Sequence, residues 1–297
     1  MKSLKGKPVF SKIDDWTVRH KEILQNAGLN PKLGVIRVGA REDDLSYEKS
    51  VIRKCEKLGL DYKVFQFEMD IAEDTFLRAV EDINKDPSVQ GILLFRPLPV
   101  QIDLEKVLLR FDPAKDIDGM LPENLGHVLA GSIAGYAPCT SEAVFELLKH
   151  YEIPLEGASV AVVNNSNVVG KPLAMMLSNA FATATLCHHK TKDLKDLMKN
   201  SDVVVSAVGK AKLFDDAYFS KDQYIVDVGI NVDDQGSLCG DIDFEPVSKQ
   251  SAGVTPVPGG IGGITTSLLL RNVVKAGFRA LESMENAEVE EKVWKLN

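Results

Sequence analysis

Residues 160–177 read VAVVNNSNVVGKPLAMML, an apolar run, a polar turn and a helical pattern. That layout presents backbone N–H groups at the start of a helix, where an anion such as a phosphate is held. Ser166 offers a hydroxyl to the same ligand, Gly170 lets helix and strand approach closely, and Pro172 suits a first helical turn that needs no N–H. Apart from Gly170 the glycines that usually build such a turn are missing. Asn164 stands where the first is expected, and asparagine is the residue after glycine that best accepts a left-handed backbone. An ordinary polar strand-to-helix loop would show the same residues.

Two further segments have the composition of a ligand site. DVGIN (227–231) ends a strand on a glycine, at the carboxyl edge where open α/β sheets bind ligands. GVTPVPGGIGGIT (253–265) sets five glycines and two prolines before a helix, which suits close backbone approach to a flat or anionic ligand. In KDIDG, Asp116 and Asp118 lie two apart, a spacing that most often means solvated or capping carboxylates. Tyr47 reads first as a surface tyrosine of an amphipathic helix. His188 and His189 are adjacent, point oppositely on a strand, and lack metal-ligand spacing, so no metal site is expected.

The elements that must position these residues alternate strand and helix, which predicts an α/β fold with mainly parallel strands. In the first half, 33–38, 62–67 and 91–95 read as strands. Helices over 44–58 and 73–84 carry apolar stripes, Val51, Cys55 and Leu58 on one and Phe76, Val80 and Ile83 on the other. RPLP at 96–99 interrupts regular structure. Thr140 or Ser141 is positioned to cap the next helix. Strands at 159–163, 183–187, 202–207 and 224–228, with helices at 171–181 and 193–200, predict a doubly wound, Rossmann-like sheet. The expected division is 1–139, completed by a helix over 268–297, and 140–267.

The chain of 297 residues is 44% hydrophobic and 26% charged, as in a globular enzyme, with 35 basic against 43 acidic residues. A net charge of -8 argues against nucleic acid or an anionic membrane as partner. Cys55, Cys139, Cys187 and Cys239 are far apart, as in a reduced cytoplasmic protein, and no window approaches the roughly 18 apolar residues of a membrane span.

KDIDGMLPENLG (115–126), RPLP, PCTSEAVFELL (138–148), DVGIN and GVTPVPGGIGGIT, in this order and spacing, resemble the methylenetetrahydrofolate dehydrogenase/methenyltetrahydrofolate cyclohydrolase family over residues 5–280. The resemblance implies two α/β domains across a cleft, tetrahydrofolate on the first, NAD or NADP on the second, and a homodimer. It implies that Asp118 holds the pterin ring, that Tyr47 stacks on the aminobenzoyl ring, and that Pro258 and Gly262 join the substrate site. Asn164, Asn165, Ser166, His189 and Lys190 then meet the cofactor, with Ile230 and Thr265 at its nicotinamide.

Three departures shape the expectation. The family's G-R-S turn reads Asn164, Asn165, Ser166, without the arginine that would meet a ribose 2′-phosphate; this leans toward NAD, with His189 and Lys190 pulling the other way. The family's Y-x-x-x-K reads Tyr47 to Val51, and its V-Q-L-P-L-P reads LFRPLP, with Phe95 at the glutamine. Neither Val51 nor Phe95 exchanges a proton, so hydration of a methenyl bridge lacks its base. The chain is therefore expected to oxidise 5,10-methylenetetrahydrofolate, with cyclohydrolase activity lost. The alternatives are the full bifunctional enzyme, with Lys54 as base, and a non-catalytic folate- or nucleotide-binding protein.

Overall fold

The computed structural model describes residues 2–132 and 134–294, with side chains through 283. The chain forms two compact units, residues 13–124 with 269–297, and residues 1–12 with 125–268. By compactness the two units meet at 124/125. Val128 carbonyl accepts from Asn179 Nδ2 (2.9 Å), which ties the segment after 124 to the second unit.

The unit built on 13–124 is a three-stranded parallel sheet in the order β3-β2-β4, flanked by helices. After β1 (Lys2–Ser3), which belongs to the other unit, its elements are α1 (Lys7–Asn26, from residue 13 onward), β2 (Lys32–Val38), α2 (Glu42–Leu58), β3 (Asp61–Phe67), α3 (Glu73–Lys85), β4 (Gly91–Leu94) and α4 (Leu104–Leu108). β2 is central and buried from Leu33 to Val38, so it does not alternate apolar and polar; its one charged residue in that stretch, Arg37, is buried against Glu48 at 2.8 Å. The two predicted stripes are the buried faces: Val51, Cys55 and Leu58 on α2, and Phe76, Val80 and Ile83 on α3. α2 carries Glu42, Asp43 and Asp44 in its first turn, favourable to its dipole, and ends on Gly59 at φ 62°.

The second unit is the predicted doubly wound sheet. Its elements are α5 (Pro122–Leu129), α6 (Cys139–His150), β5 (Ser159–Val163), α7 (Gly170–Asn179), β6 (Thr183–Cys187), α8 (Leu194–Lys199), β7 (Val203–Ser206), β8 (Tyr224–Asp227), β9 (Asn231–Val232), β10 (Leu238–Cys239), α9 (Phe244–Ser248) and β11 (Gly253–Val254). Six strands run in the order β1-β11-β8-β7-β5-β6, all pairs parallel. β6 lies on one side of β5 and β7 on the other, so the chain reverses direction at β5. α10 (Gly262–Trp294) starts in this unit and from 269 onward belongs to the first. Among the described residues no helix is long and apolar enough to cross a membrane.

One expected cap is not made. α6 begins at Cys139 with Pro138 before it, and neither Thr140 nor Ser141 caps it. Ser141 is already inside the helix, and its hydroxyl donates to the carbonyls of Val168 (3.0 Å) and Val169 (2.8 Å). It braces the turn that precedes α7.

Candidate active site

In the first unit, three segments bring the sequence-predicted side chains together. The Tyr47 ring, on α2, meets the Phe95 ring edge to face at 5.6 Å. Tyr47 is 38% exposed and Phe95 only 7%, so the buried phenylalanine backs an exposed tyrosine ring. Beyond Phe95, Arg96 reaches Asp118, Nη2 to Oδ2 at 3.7 Å. Sequence reasoning passed over Arg96, although an arginine in place of the leucine in the V-Q-L-P-L-P motif was a visible signal.

The two carboxylates of KDIDG have separate roles. Asp116 is fully buried and accepts from Met120 N–H (3.2 Å), Leu121 N–H (2.8 Å) and Asn124 Nδ2 (2.8 Å). Burial pushes its carboxyl above the usual carboxylate range, while these donors and nearby Arg96 pull it back. Asp116 shapes the turn, and Gly119 at φ 67° completes it. Asp118 is left partly exposed at its tip. β4 and α10 hold the loop from either side, through Ile92 N–H to Lys115 O (2.8 Å) and Asn272 Nδ2 to Ile117 O (2.9 Å).

Val51 differs from expectation. It is 0% exposed and packed in the stripe with Cys55 and Leu58, so the short valine side chain itself presents no surface to a substrate. Burial pushes the Cys55 thiol beside it up to about 12, which leaves it inert. Lys54 faces α1 instead: its Nζ is 2.5 Å from Asp14 Oδ2, with both side chains largely enclosed.

In the second unit, Pro258, Gly262 and Ile230 line one cavity of about 190 Å³ with Gly229, Leu238 and Gly260. Thr265 lies one turn into α10, its hydroxyl directed to Ile261 O (3.4 Å). Behind the cavity, Asp227 Oδ1 accepts from Gly229 and Asp241 N–H (3.0 Å each) and its Oδ2 from Ile242 N–H (3.0 Å). Asp241 in turn accepts from Ser206, Val208, Lys210 and Asn231. A Cβ on Gly229 would overlap the Asp241 carboxylate, so the glycine of DVGIN is demanded by packing. Burial pushes the Asp227 carboxyl up to about 7, with Asp241 adding to the effect and the three N–H donors opposing it.

The turn before α7 is closed by a side chain. Asn164 is not among the residues with positive φ, so the expected left-handed conformation is not used. Its Oδ1 accepts from Ser166 N–H (2.8 Å), Ser166 Oγ (2.7 Å) and Gly170 N–H (3.0 Å). A Cβ on Gly170 would overlap the Asn164 carbonyl, which explains the one glycine kept in the turn. Asn165 is exposed, as are His189 and Lys190 after β6. His188 folds that second turn, accepting at Nδ1 from Lys190 N–H (3.1 Å) while its own N–H donates to Thr191 Oγ1 (2.8 Å).

A parallel sheet that reverses at β5, with a polar turn at that strand's carboxyl end and a glycine-lined cavity along the same edge, defines a nucleotide-binding α/β protein. The comparisons are more specific. Residues 138–281 match the family model for the tetrahydrofolate dehydrogenase/cyclohydrolase NAD(P)-binding domain, and residues 4–118 the model for its catalytic domain. The chain belongs to the tetrahydrofolate dehydrogenase/cyclohydrolase family. It is 44% identical to the bifunctional protein FolD of Alkaliphilus oremlandii, over 92% of this chain and 96% of that protein. Among solved structures it resembles the bifunctional FolD enzyme of Campylobacter jejuni, with a TM-score of 0.91, 39% identity and coverage of 94% and 99%. It also resembles the Trypanosoma brucei dehydrogenase-cyclohydrolase complexed with NADP and an inhibitor, with a TM-score of 0.87, 30% identity and coverage of 93% and 97%.

Proposed function

We propose that this protein oxidises 5,10-methylenetetrahydrofolate to the methenyl form with a nicotinamide dinucleotide, and that it has lost the cyclohydrolase step. The observation that carries the second half is the state of Val51: an apolar side chain with 0% exposure where the family motif has a lysine. Phe95, at the glutamine position, is spent on Tyr47. Oxidation needs no such base, because the nitrogen lone pairs beside the methylene carbon stabilise the cation formed, and positioning does the rest.

Within the first unit, Tyr47 stacks on the aminobenzoyl ring and Asp118 accepts from the donor edge of the pterin. In the second unit, the cavity lined by Ile230, Pro258 and Gly262 suits a flat ring, and Asn165, His189 and Lys190 lie exposed near the start of the fold's binding edge. When bound, a nicotinamide dinucleotide supplies the hydride acceptor. Absence of an arginine at position 165 favours NAD over NADP. A homodimer in the cytoplasm is the expected state; exposed Val232 supports the first and four buried free cysteines the second.

A bifunctional enzyme is the second reading. It is favoured by the relatives, which are named bifunctional at 42% to 44% identity, and by the Campylobacter jejuni enzyme, whose name gives both dehydrogenase and cyclohydrolase. Against it stands the Lys54–Asp14 pair, which occupies the lysine three residues beyond position 51 in that helix. Following dinucleotide reduction and methenyl absorbance together in one cuvette separates the two readings. Dinucleotide reduction with methenyl product decaying at the uncatalysed rate is the expected result. Accelerated decay would assign both activities, and no reduction with either dinucleotide would leave a binding protein.

A further inference from the structure

α7 begins at the carboxyl end of β5, the strand at which the sheet reverses direction. In folds of this class that helix start is where a ligand phosphate receives backbone N–H groups. Here those groups are already engaged. Val169 N–H donates to Ser166 Oγ (3.1 Å), Gly170 N–H to Asn164 Oδ1 (3.0 Å) and Lys171 N–H to Ser166 O (3.1 Å), while Pro172 has no N–H to give.

The centre of this arrangement is one oxygen. Asn164 Oδ1 takes Ser166 N–H, Ser166 Oγ–H and Gly170 N–H, three donors converging as they would on a phosphate oxygen. The other end of the amide donates from Nδ2 to Ala207 O (2.6 Å). Three donors on one side and a carbonyl on the other fix which atom is oxygen. The backbone is closely packed at the same place, since a Cβ on Gly170 would overlap the Asn164 carbonyl. The part that can move is the side chain, which is only partly buried.

We infer that Asn164 is a built-in stand-in for a phosphate oxygen, and that it sets the affinity of this site for the diphosphate of a dinucleotide. The inference rests on the dinucleotide-dependent reading above. Binding requires the Asn164 side chain to turn away and give up its three donors. The phosphate then gains only the difference between charge-assisted and neutral hydrogen bonds, instead of the whole of the former. Weak dinucleotide binding is the consequence, whichever nicotinamide dinucleotide is used.

The test is calorimetric titration of NAD+ and of NADP+ into the unaltered protein, N164A and N164G, with thermal melts to show that each is folded. Both variants remove the oxygen and leave the donors in place, and glycine also fits the turn if alanine does not. Each dinucleotide is expected to bind the variants at least roughly tenfold tighter than the unaltered protein. Inorganic pyrophosphate is expected to compete for the variants and not for the parent. Equal affinities for all three proteins would overturn the role of Asn164 while leaving dinucleotide use intact. Absence of binding by every folded protein would overturn both.

Discussion

The Arg96 guanidinium stands 3.7 Å from the Asp118 carboxylate, the pair being 26% and 22% exposed. At that distance and exposure the pair is a weak one, worth about 0–1 kcal/mol. Asp116, one turn of the loop away, accepts from the backbone N–H groups of Met120 and Leu121.

The two residues are therefore expected to separate in kinetics. Asp118→Ala should cost about 2 kcal/mol in kcat/KM for the folate, since it removes charge-assisted bonds to the pterin. Arg96→Leu should change the same constant by less than roughly fivefold, the worth of a weak exposed pair. Steady-state rates with varied methylenetetrahydrofolate check both. A larger loss in Arg96→Leu than in Asp118→Ala would make the arginine the folate contact.

What the sequence made legible follows its periodicities. β5 reads as a strand because a parallel strand buried on both faces is a continuous apolar run, and β2 does so with the single interruption of Arg37. α3 was readable from Phe76, Val80 and Ile83. α1 escaped notice because its inner face includes Asp14, Thr17 and Lys21 beside Val9, Ile13 and Leu24, which blurs the stripe. β1 and β11 are two residues each, too short for any period, and their pairing joins positions 2 and 253.

Within the site, residue types were visible and their partners were not. The Arg96–Asp118 approach depends on the loop of Asp118 lying beside β4, a long-range bridge between Ile92 and Asp116. Asn164 was noticed for its backbone tolerance, yet its side-chain carbonyl does the work. Asparagine's habit of bonding backbone two residues on was the signal to use.

Restoring the proton-transfer pair is expected to add an activity at a cost in stability. Val51 is fully buried, so Val51→Lys combined with Phe95→Gln places an amine where burial lowers its pKa and keeps part of it neutral. The double variant should accelerate loss of methenyl absorbance over the parent and melt at a lower temperature. A folded double variant with no hydrolysis would show that more than this pair has been lost.

Lys54 is predicted to be structural. It satisfies Asp14, whose other carboxylate oxygen is buried without a hydrogen-bond partner. Lys54→Met should therefore destabilise the fold by about 3 kcal/mol, as expected when one member of an enclosed pair is removed. Methenyl decay should be unchanged by the substitution. Urea titration reads the first effect and stopped absorbance assays the second; a stable variant that loses hydrolysis present in the parent would make Lys54 the base.

Cofactor choice is predicted to turn on position 165. Asn165 is exposed and carries no charge for a 2′-phosphate. Asn165→Arg should raise kcat/KM for NADP relative to NAD by roughly tenfold or more, the worth of a charge-assisted, bidentate contact. If the parent already strongly prefers NADP and the preference disappears in Lys190→Ala, the exposed lysine after β6 supplies that contact instead.

The last prediction concerns pH. Asp227 carries a carboxyl pushed up to about 7, against 3.8 when unburied, chiefly because it is enclosed behind the cavity edge. A raised acid pKa means that folding favours the protonated form. The stability it contributes is complete below pH 3.8 and is lost as pH rises through 7. At 1.36 kcal/mol per unit, about 2 to 3 kcal/mol of that loss falls between pH 5 and 8. His150 works in the opposite direction below its ordinary value, because burial and the nearby lysines lower its pKa. Comparison with Asp227→Asn cancels that contribution. The asparagine keeps an acceptor for Gly229 and Asp241 but sets an amide against Ile242 N–H, so it should be less stable than the parent at pH 5. By pH 8 the gap between the two proteins should have narrowed by the same 2 to 3 kcal/mol, measured by denaturant titration at each pH. Parallel pH profiles would mean that the three N–H donors hold Asp227 ionised throughout.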